Sequence, residues 1–168
     1  MSKAALISIR PKWVEKIASG EKTIEVRKTR PNLATPFKAY IYCSRGSDAR
    51  RLRGSWGKVI GEFTCDHCCG IVQVGFDGVN ERPQYLTRLD GWRYVPADDL
   101  LTAAQLTRED LEAYLAGGAG YGWHISDLLI YGQPKGLDEF TRLRETKFGS
   151  EPLTIKRPPQ SWCYVEEG

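Results

Sequence analysis

Residues 20–28 read Gly20-Glu21-Lys22-Thr23-Ile24-Glu25-Val26-Arg27-Lys28, and they are the most informative segment of the chain. The last seven of them alternate between polar and apolar side chains, which predicts a β-strand. Ile24 and Val26 would face one side of this strand, and Glu25 and Arg27 the other. Two residues on one face of a strand lie about 7 Å apart, so Glu25 and Arg27 can form an ion pair.

Lys22 stands at the start of this strand, and by alternation its side chain would face away from Glu25 and Arg27. Its long stem could still reach the cleft that these two residues line. A lysine and an arginine beside one carboxylate suit a phosphate group or the polar edge of a base. A structural ion-pair network between neighbouring strands would use the same three residues. From the residues alone, both interpretations remain open.

The surrounding sequence resembles the ASCH domain family, whose signature is a glycine, a lysine two residues later, and then an acid and an arginine on the next strand. Gly20, Lys22, Glu25 and Arg27 occupy those positions. The resemblance covers nearly the whole chain and is weakest in residues 77–99. Four further segments contribute to it, and the last two look like the longer ASCH proteins common in bacterial prophages: residues 8–13 (SIRPKW), 58–63 (KVIGEF), 121–128 (YGWHISDL) and 157–164 (RPPQSWCY).

The predicted elements favour an α+β fold in a single domain covering residues 1–168. Strands are predicted at residues 4–9, 22–28, 37–43, 58–65, 71–76, 121–131 and 162–165. Residues 77–99 lack a clear pattern and are expected to be irregular. Because so long a connection without structure is uncommon, the segment is either functional or contains short elements without a clear signal. The resemblance implies a PUA-like mixed β-barrel, which we expect to have about six strands and two or three short flanking helices.

Local signals predict the helices. Pro11 suits the first position of a helix that Gly20 ends, and Trp13 falls on its apolar face as an expected core residue. Thr107 as N-cap and Asp110 three positions later form a variant of the capping box, which predicts a helix over residues 108–116. Residues 137–144 are expected to form a short helical turn.

Charge is unevenly distributed along the chain. The formal net charge is +3, but residues 1–60 carry fourteen Lys or Arg against four acids, and residues 61–168 carry ten against seventeen. This asymmetry favours a partner that is a polyanion. No apolar run approaches the roughly 18 residues of a membrane span, and the first ten residues lack a signal-peptide pattern. We therefore expect a cytoplasmic protein with no membrane partner.

The loop over residues 44–58 carries five basic residues, one acid and a tryptophan. Guanidinium groups bind phosphate, and an exposed aromatic ring can stack on a base. An ordinary solvated loop would show a similar composition. The predicted nucleic-acid contacts here are Arg45, Arg50, Arg51, Arg53 and Trp56.

Trp123 and His124 open the long predicted strand over residues 121–131. The resemblance implies an aromatic pocket for a flipped or modified base, because related PUA-like modules hold such bases in aromatic pockets. Both residues therefore join the predicted nucleic-acid contacts. As alternatives, Trp123 would be a core residue and His124 a structural histidine.

The segment Cys65-Asp66-His67-Cys68-Cys69 invites comparison with a zinc site, because Cys65 and Cys68 have ligand spacing. A complete site needs four ligands, and the sequence offers no second paired knuckle. Free cysteine also packs well as a small apolar side chain. We therefore predict no cofactor and no metal, with Cys65 and Cys68 as weak candidates.

Enzymatic activity remains an open question at this stage. Some small ASCH members look like amidohydrolases acting on acetylated cytidine, with a lysine and a threonine three residues later. Lys22 matches the lysine, but Glu25 stands where the threonine is expected, so the usual nucleophile is missing. If the protein is an enzyme, Lys22 and Glu25 are the candidate acid–base residues.

The favoured hypothesis is a protein that binds nucleic acid, RNA above all, or a nucleotide through a basic cleft lined by Lys22, Glu25 and Arg27. DNA remains an open alternative to RNA. The first alternative function is hydrolysis of RNA or of a modified nucleoside in the same cleft. The second alternative is a phage-encoded regulator that binds a host protein through the acidic C-terminal half.

Overall fold

The computed structural model describes residues 2–46, 54–76, 83–90 and 93–168. The helices are α1 (Pro11–Ala18), α2 (Asp98–Ala104) and α3 (Arg108–Leu115), with a short 3₁₀ turn at Leu137–Glu139. The strands are β1 (Lys3–Ile9), β2 (Ile24–Arg27), β3 (Phe37–Cys43), β4 (Lys58–Cys65), β5 (Cys68–Phe76), β6 (Pro83–Asp90), β7 (Arg93–Pro96), β8 (Gly120–His124), β9 (Ser126–Lys135), β10 (Thr141–Thr146), β11 (Gly149–Thr154) and β12 (Trp162–Glu166).

The described strands form two five-stranded sheets and one separate hairpin. The first sheet has the order β12-β1-β3-β4-β9, the second has the order β2-β8-β5-β6-β7, and β10 pairs with β11. Within the first sheet β1 and β3 run parallel, whereas the other pairs are antiparallel. The expected α+β class is confirmed. Across the described residues, the two sheets do not close into one barrel.

Strand β1 lies between β12 and β3 in the first sheet and is buried on both faces. Ala5 and Ile7 belong to a core cluster shared with β3, β4 and Trp123 of β8, which we call the inner core. Ala4 and Leu6 pack on the opposite face, against residues near the β10–β11 hairpin. Burial on both sides explains why this strand reads as a nearly continuous apolar run.

The chain passes from α1 to β2 through a glycine turn. Gly20 has a φ of 81°, a backbone conformation that favours glycine. The amide of Lys22 then donates to the carbonyl of Lys16, which ties the start of the next segment to α1. As predicted, Ile24 and Val26 face apolar neighbours, in this case from α2 and α3.

The predicted helix signals at α1 and α3 are confirmed. Thr107 accepts a hydrogen bond from the Asp110 amide, and the Asp110 carboxylate accepts one from the Thr107 amide, so the capping box is complete. Trp13 differs from its prediction, since it is half-buried at the margin of the inner core.

The predicted secondary structure is incomplete in the second half of the chain. Residues 77–99, expected to be irregular unless they hold short elements, contain all of β6 and β7 and the start of α2, among the positions that are described. The short helical turn expected within residues 137–144 is present as a 3₁₀ turn at Leu137–Glu139, and β10 begins directly after it. The count of about six strands is therefore too low, because short strands with mixed composition give little periodic signal.

The predicted long strand over residues 121–131 is in fact two strands in different sheets. β8 pairs with β2 and β5, whereas β9 pairs with β4. The chain turns between them near Asp127, which has a φ of 47°. Aspartate tolerates this left-handed conformation better than most residues do, and the alternating pattern continues across the turn without revealing it.

Candidate functional site

A cavity of about 500 Å³ lies where β2 meets α1, α3 and the segment that precedes β12. Its size falls within the range of typical small-molecule pockets, about 300–1,000 Å³. It is lined by residues from five stretches of the chain: Ser8, Arg10, Lys12, Trp13, Lys22, Glu25, Val26, Arg27, Tyr42, Ser44, Leu106, Asp110, Tyr114 and residues 158–161. We refer to Lys22, Glu25 and Arg27 as the cavity floor.

The cavity floor places one carboxylate between two cations. Arg27 donates to Glu25 Oε1 from Nη2 at 2.8 Å and from Nε at 3.1 Å. Lys22 Nζ lies 3.3 Å from Glu25 Oε2. The three residues are only 3 %, 5 % and 8 % exposed in chain order, so their charges interact in surroundings with little water.

Both cations also bind neighbouring backbone, which fixes the floor in place. Lys22 Nζ donates to the carbonyl of Ala104 at 2.6 Å, beneath the end of α2. Arg27 Nη2 donates to the carbonyl of Ser8 at 2.7 Å, and its Nη1 lies 3.4 Å from the Ser161 hydroxyl. The floor therefore ties β2 to β1, to α2 and to the segment before β12.

Glu25 Oε2 can accept a further hydrogen bond. This buried oxygen has Lys22 Nζ as its ion-pair partner at 3.3 Å, and among the described residues it accepts no hydrogen bond of good geometry. A carboxylate oxygen can accept more than one hydrogen bond. A ligand that donates an N–H group from the cavity could therefore bind to it.

Burial also alters the acid–base behaviour of Lys22. Loss of hydration lowers the pKa of its amine, and this effect exceeds the opposite influence of the Glu25 carboxylate. A lysine in this state gives up its proton more readily than an exposed lysine does. It could therefore serve as a hydrogen-bond donor or as a base toward a bound molecule.

Aromatic and cationic side chains surround the opening. Trp13 is half-buried, and Lys22 Nζ lies 4.8 Å from the centroid of its ring. Tyr114 on α3 is 39 % exposed. Arg10 and Lys12, both exposed, provide positive charge beside these rings. The cavity thus combines a charged floor with aromatic and basic surroundings.

Comparison with solved structures identifies the fold. No protein-family model and no curated protein matches the sequence. The ASCH protein of Zymomonas mobilis aligns at a TM-score of 0.52 and 20% identity, over 98% of this chain and 88% of that one. Its serine-to-alanine variant gives a TM-score of 0.54 and 20% identity, over 98% and 89%. A tyrosine-to-phenylalanine variant gives 0.51 and 19%, over 99% and 92%.

The chain has the ASCH fold. The fold that the sequence resemblance implies is therefore confirmed over almost the full length. Within it, Lys22, Glu25 and Arg27 meet at one cavity. No helix among the described residues has the length and apolar character that a bilayer crossing requires.

Arg45 and Trp56, two further predicted nucleic-acid contacts that the structure describes, are not among the residues that line the cavity. Arg45 is exposed and close enough to Tyr42 for its charge to act on that hydroxyl. Arg50, Arg51 and Arg53 lie outside the described residues. Trp56, expected to be an exposed stacking surface, is half-buried and packs against the inner core, so that expectation is wrong.

Trp123 is a core residue, and the prediction that it contacts a base is wrong. It is fully buried and packs edge-on against Phe37 and Trp162, at centroid distances of 5.7 Å and 5.9 Å. Its neighbour His124 points elsewhere, and its Nδ1 lies 2.6 Å from the Asp66 carboxylate. Neither residue is among those that line the cavity.

The cysteine candidates form a close pair of free thiols. Cys65 Sγ and Cys68 Sγ lie 3.5 Å apart at the turn between β4 and β5. Cys65 is fully buried. Among the described residues, the group whose ligand atoms cluster closely enough for a metal ion consists instead of Asp66, His67 and His124.

Sequence reasoning missed several cavity residues, among them Trp13, Asp110 and Tyr114. Trp13 lies on the apolar stripe of α1, where a core position was the simpler interpretation. Asp110 was recognised only as a capping residue, and its position on α3 brings it to the cavity. The helical spacing between Asp110 and Tyr114 is four residues, so both belong to one face of α3. This spacing was the available signal.

Proposed function

We propose that this cavity binds a nucleotide unit, either as a free nucleotide or as an unpaired nucleotide of single-stranded RNA. The observation that carries the proposal is the buried cavity floor, in which the Glu25 carboxylate and the Lys22 amine lie side by side at the base of a pocket of about 500 Å³. The ASCH fold supports the proposal at the level of the class of domain.

The floor suits the polar edge of a base. Glu25 Oε2 can accept a hydrogen bond from an amino or ring N–H group, as carboxylates do from the amino group of cytosine. Lys22 supplies a donor beside this oxygen. A ligand that carries adjacent donor and acceptor atoms would satisfy both, and nucleobases present such pairs on their Watson–Crick edges.

The surroundings suit the remainder of a nucleotide. Trp13, Tyr42 and Tyr114 offer aromatic surfaces around the same cavity, and stacking of a base on an aromatic ring contributes about 1–3 kcal/mol. Arg10 and Lys12 lie at the exposed margin, where phosphate oxygens could reach them. Arg45 would extend this basic surface toward β3. Single-stranded RNA fits better than a duplex, because its bases are free to leave the stack.

Binding measurements on matched variants test the proposal. The four ribonucleoside monophosphates and a short single-stranded RNA would be titrated by calorimetry into the parent protein, Glu25→Gln and Glu21→Gln. Glu25→Gln should weaken binding by at least about tenfold, because a hydrogen bond to a charged acceptor is lost. Glu21 carries the same charge on the same segment but is exposed, so Glu21→Gln should bind like the parent. Equal affinity of all three proteins would overturn the proposal.

A second candidate function is hydrolysis of a bound nucleotide derivative or of RNA. The observation that favours it is the burial of Lys22 with a lowered pKa next to a carboxylate, an arrangement suited to acid–base chemistry. Glu25 would then orient the Lys22 amine or accept the proton that the amine gives up. Incubation of labelled RNA and of an N-acylated cytidine with the parent and with Lys22→Met would test this function. Product that forms at the same rate with both proteins, or with neither, would exclude a catalytic role for Lys22.

A further inference from the structure

A second cluster of titratable side chains lies outside the cavity, where the chain crosses between the two sheets. β4 of the first sheet continues into β5 of the second, and β8 of the second continues into β9 of the first. Asp66 and His67 occupy the first crossing, and His124 is the last residue before the second. We refer to these three residues as the corner cluster.

The donor atoms of the corner cluster already converge. Asp66 Oδ1 lies 2.6 Å from His124 Nδ1 and 3.2 Å from His67 Nδ1. The three residues offer ligand atoms that all lie within 4.8 Å of one another. The two imidazole rings are stacked, with centroids 4.6 Å apart and planes at 21°. One carboxylate oxygen thus faces a nitrogen of each histidine.

The backbone holds the two crossings together. The amide of His124 donates to the carbonyl of His67 at 3.1 Å. Trp123 and Cys65, which directly precede His124 and Asp66, are both fully buried. The side chains of the cluster are exposed by 45 % at Asp66, 58 % at His67 and 32 % at His124. The backbone thus keeps the three residues together, while their exposed side chains can reach a common ligand from solvent.

From this geometry we infer that Asp66, His67 and His124 bind a divalent transition-metal ion, with Zn²⁺ as the best fit. Two imidazole nitrogens and one carboxylate oxygen suit Zn²⁺ and its first-row neighbours, whereas Mg²⁺ and Ca²⁺ prefer oxygen donors throughout. Ligands at about 2.0–2.2 Å from zinc lie about 3.4 Å apart in a tetrahedral site. Binding would therefore widen the 2.6 Å contact between Asp66 and His124 to about 3.4 Å. It would also unstack the two imidazoles, because each ring nitrogen binds a metal in the plane of its own ring. The exposure of these side chains leaves them room to turn. Water would complete the coordination.

The inference departs from the cysteine pattern in the sequence. The C-x-x-C spacing drew attention to Cys65 and Cys68, but Cys65 is buried and its sulfur lies against Cys68 rather than beside the imidazoles. The intervening Asp66 and His67, together with the distant His124, carry the site instead. This site does not depend on the proposed nucleotide-binding function.

The chain contains two histidines, and both belong to the corner cluster. Imidazole NMR signals of the untagged, full-length protein therefore report on this site directly. Titration with ZnCl₂ should shift the signals of both histidines and saturate at one equivalent. His67→Ala and Asp66→Asn should weaken binding by more than about tenfold, since each removes a ligand. Unchanged imidazole signals with excess Zn²⁺ would overturn the inference.

Two control variants distinguish Zn²⁺ binding at the corner cluster from Zn²⁺ binding elsewhere on the protein. Asp127→Asn removes a nearby exposed carboxylate and should bind Zn²⁺ like the parent, because asparagine also tolerates the left-handed backbone there. The double variant Cys65→Ser with Cys68→Ser should also retain binding. Loss of Zn²⁺ binding in the cysteine variant, with a thiolate charge-transfer band for Co²⁺ in the parent, would place the ion on the thiols and refute the corner site. Because His67 is well exposed, His67→Ala should remain folded, which a backbone NMR spectrum would verify.

Discussion

The cavity floor and the corner cluster have the same composition in outline, because in each of them one carboxylate lies between two nitrogen-containing side chains. The two clusters differ in burial. Lys22, Glu25 and Arg27 are at most 8 % exposed, whereas the side chains of Asp66, His67 and His124 are at least 32 % exposed. In the floor, charges that cannot reach water must neutralise one another or find a ligand. In the corner, water can replace any partner, so the side chains are free to bind an ion.

Because of this difference in burial, the charged groups of the floor are fixed in the structure, whereas those of the corner can change partners. Glu25 is held by Arg27 through two hydrogen bonds, and Arg27 in turn binds the backbone of β1. Asp66 has no comparable link to the core among the contacts of the described residues, and its partners are two exposed rings. We therefore expect the floor to matter for folding as well as for binding, and the corner to matter mainly for what it binds.

The largest expected effect is on stability. Glu25→Ala leaves two buried cations without their carboxylate and should lower the free energy of unfolding by about 3–5 kcal/mol. Asp66→Ala removes an exposed partner and should cost less than about 1 kcal/mol. Urea unfolding at neutral pH without added metal measures both values. Similar losses for the two variants would show that burial does not separate these clusters.

The next effect concerns ligand binding at the cavity. Trp13→Ala should reduce affinity for a nucleotide by about 1–3 kcal/mol, the usual contribution of a stacking aromatic ring. Phe148→Ala serves as the control, because Phe148 is 90 % exposed and does not line the cavity. Calorimetry would give both affinities, and circular dichroism would verify that each variant is folded. If both variants lost the same affinity for the nucleotide, or if Trp13→Ala lost none, Trp13 would not belong to the proposed site.

A smaller effect, on how the free energy of unfolding changes with pH, follows from the lowered pKa of Lys22. Between this depressed value and the ordinary value of 10.5, the unfolded chain binds more protons at Lys22 than the folded protein does. The contribution of Lys22 to the free energy of unfolding should therefore rise with pH across this window. Burial raises the pKa of Tyr42 and gives the opposite trend near pH 10.

The difference between the parent and Lys22→Met isolates the lysine from the tyrosines. Urea unfolding at several values between pH 7 and pH 10 should show the parent gaining stability relative to Lys22→Met as the pH rises. A difference that is constant with pH would mean that Lys22 titrates normally in the folded protein.

The smallest effect tests the exposed margin of the cavity. Lys12→Gln removes one charge near a bound phosphate and should reduce the slope of log affinity against log salt by about 0.7 for single-stranded RNA. Lys147→Gln, an exposed lysine on the β10–β11 hairpin turn, should leave the slope unchanged. The comparison requires RNA titrations at several salt concentrations. Equal slopes for Lys12→Gln and the parent would place the phosphates elsewhere.

Local patterns in the sequence were enough to predict the cavity floor. The alternation in residues 22–28 assigned Glu25 and Arg27 to one face, and the reach of the lysine stem brought Lys22 to the same place. Both relations depend only on strand geometry over a few residues. The capping box at Thr107 is equally local, and it was predicted for the same reason.

Features that depend on tertiary contacts could not be predicted in this way. The burial of Trp123 depends on Phe37 and Trp162, which are remote in sequence. The corner cluster joins His67 to His124 across 57 positions, through strands that change sheets. The turn near Asp127 interrupts an alternating pattern without a glycine or proline to mark it. In each case the packing of distant strands, rather than local propensity, determined the outcome.

The most direct test of the nucleotide-binding proposal is a crystal structure of the protein with a saturating ribonucleoside monophosphate. We predict density for the base inside the cavity, with an N–H group of the base within hydrogen-bond distance of Glu25 Oε2 and the phosphate toward Arg10 and Lys12. Density only on the outer surface, or an empty cavity at saturating ligand, would contradict the proposal.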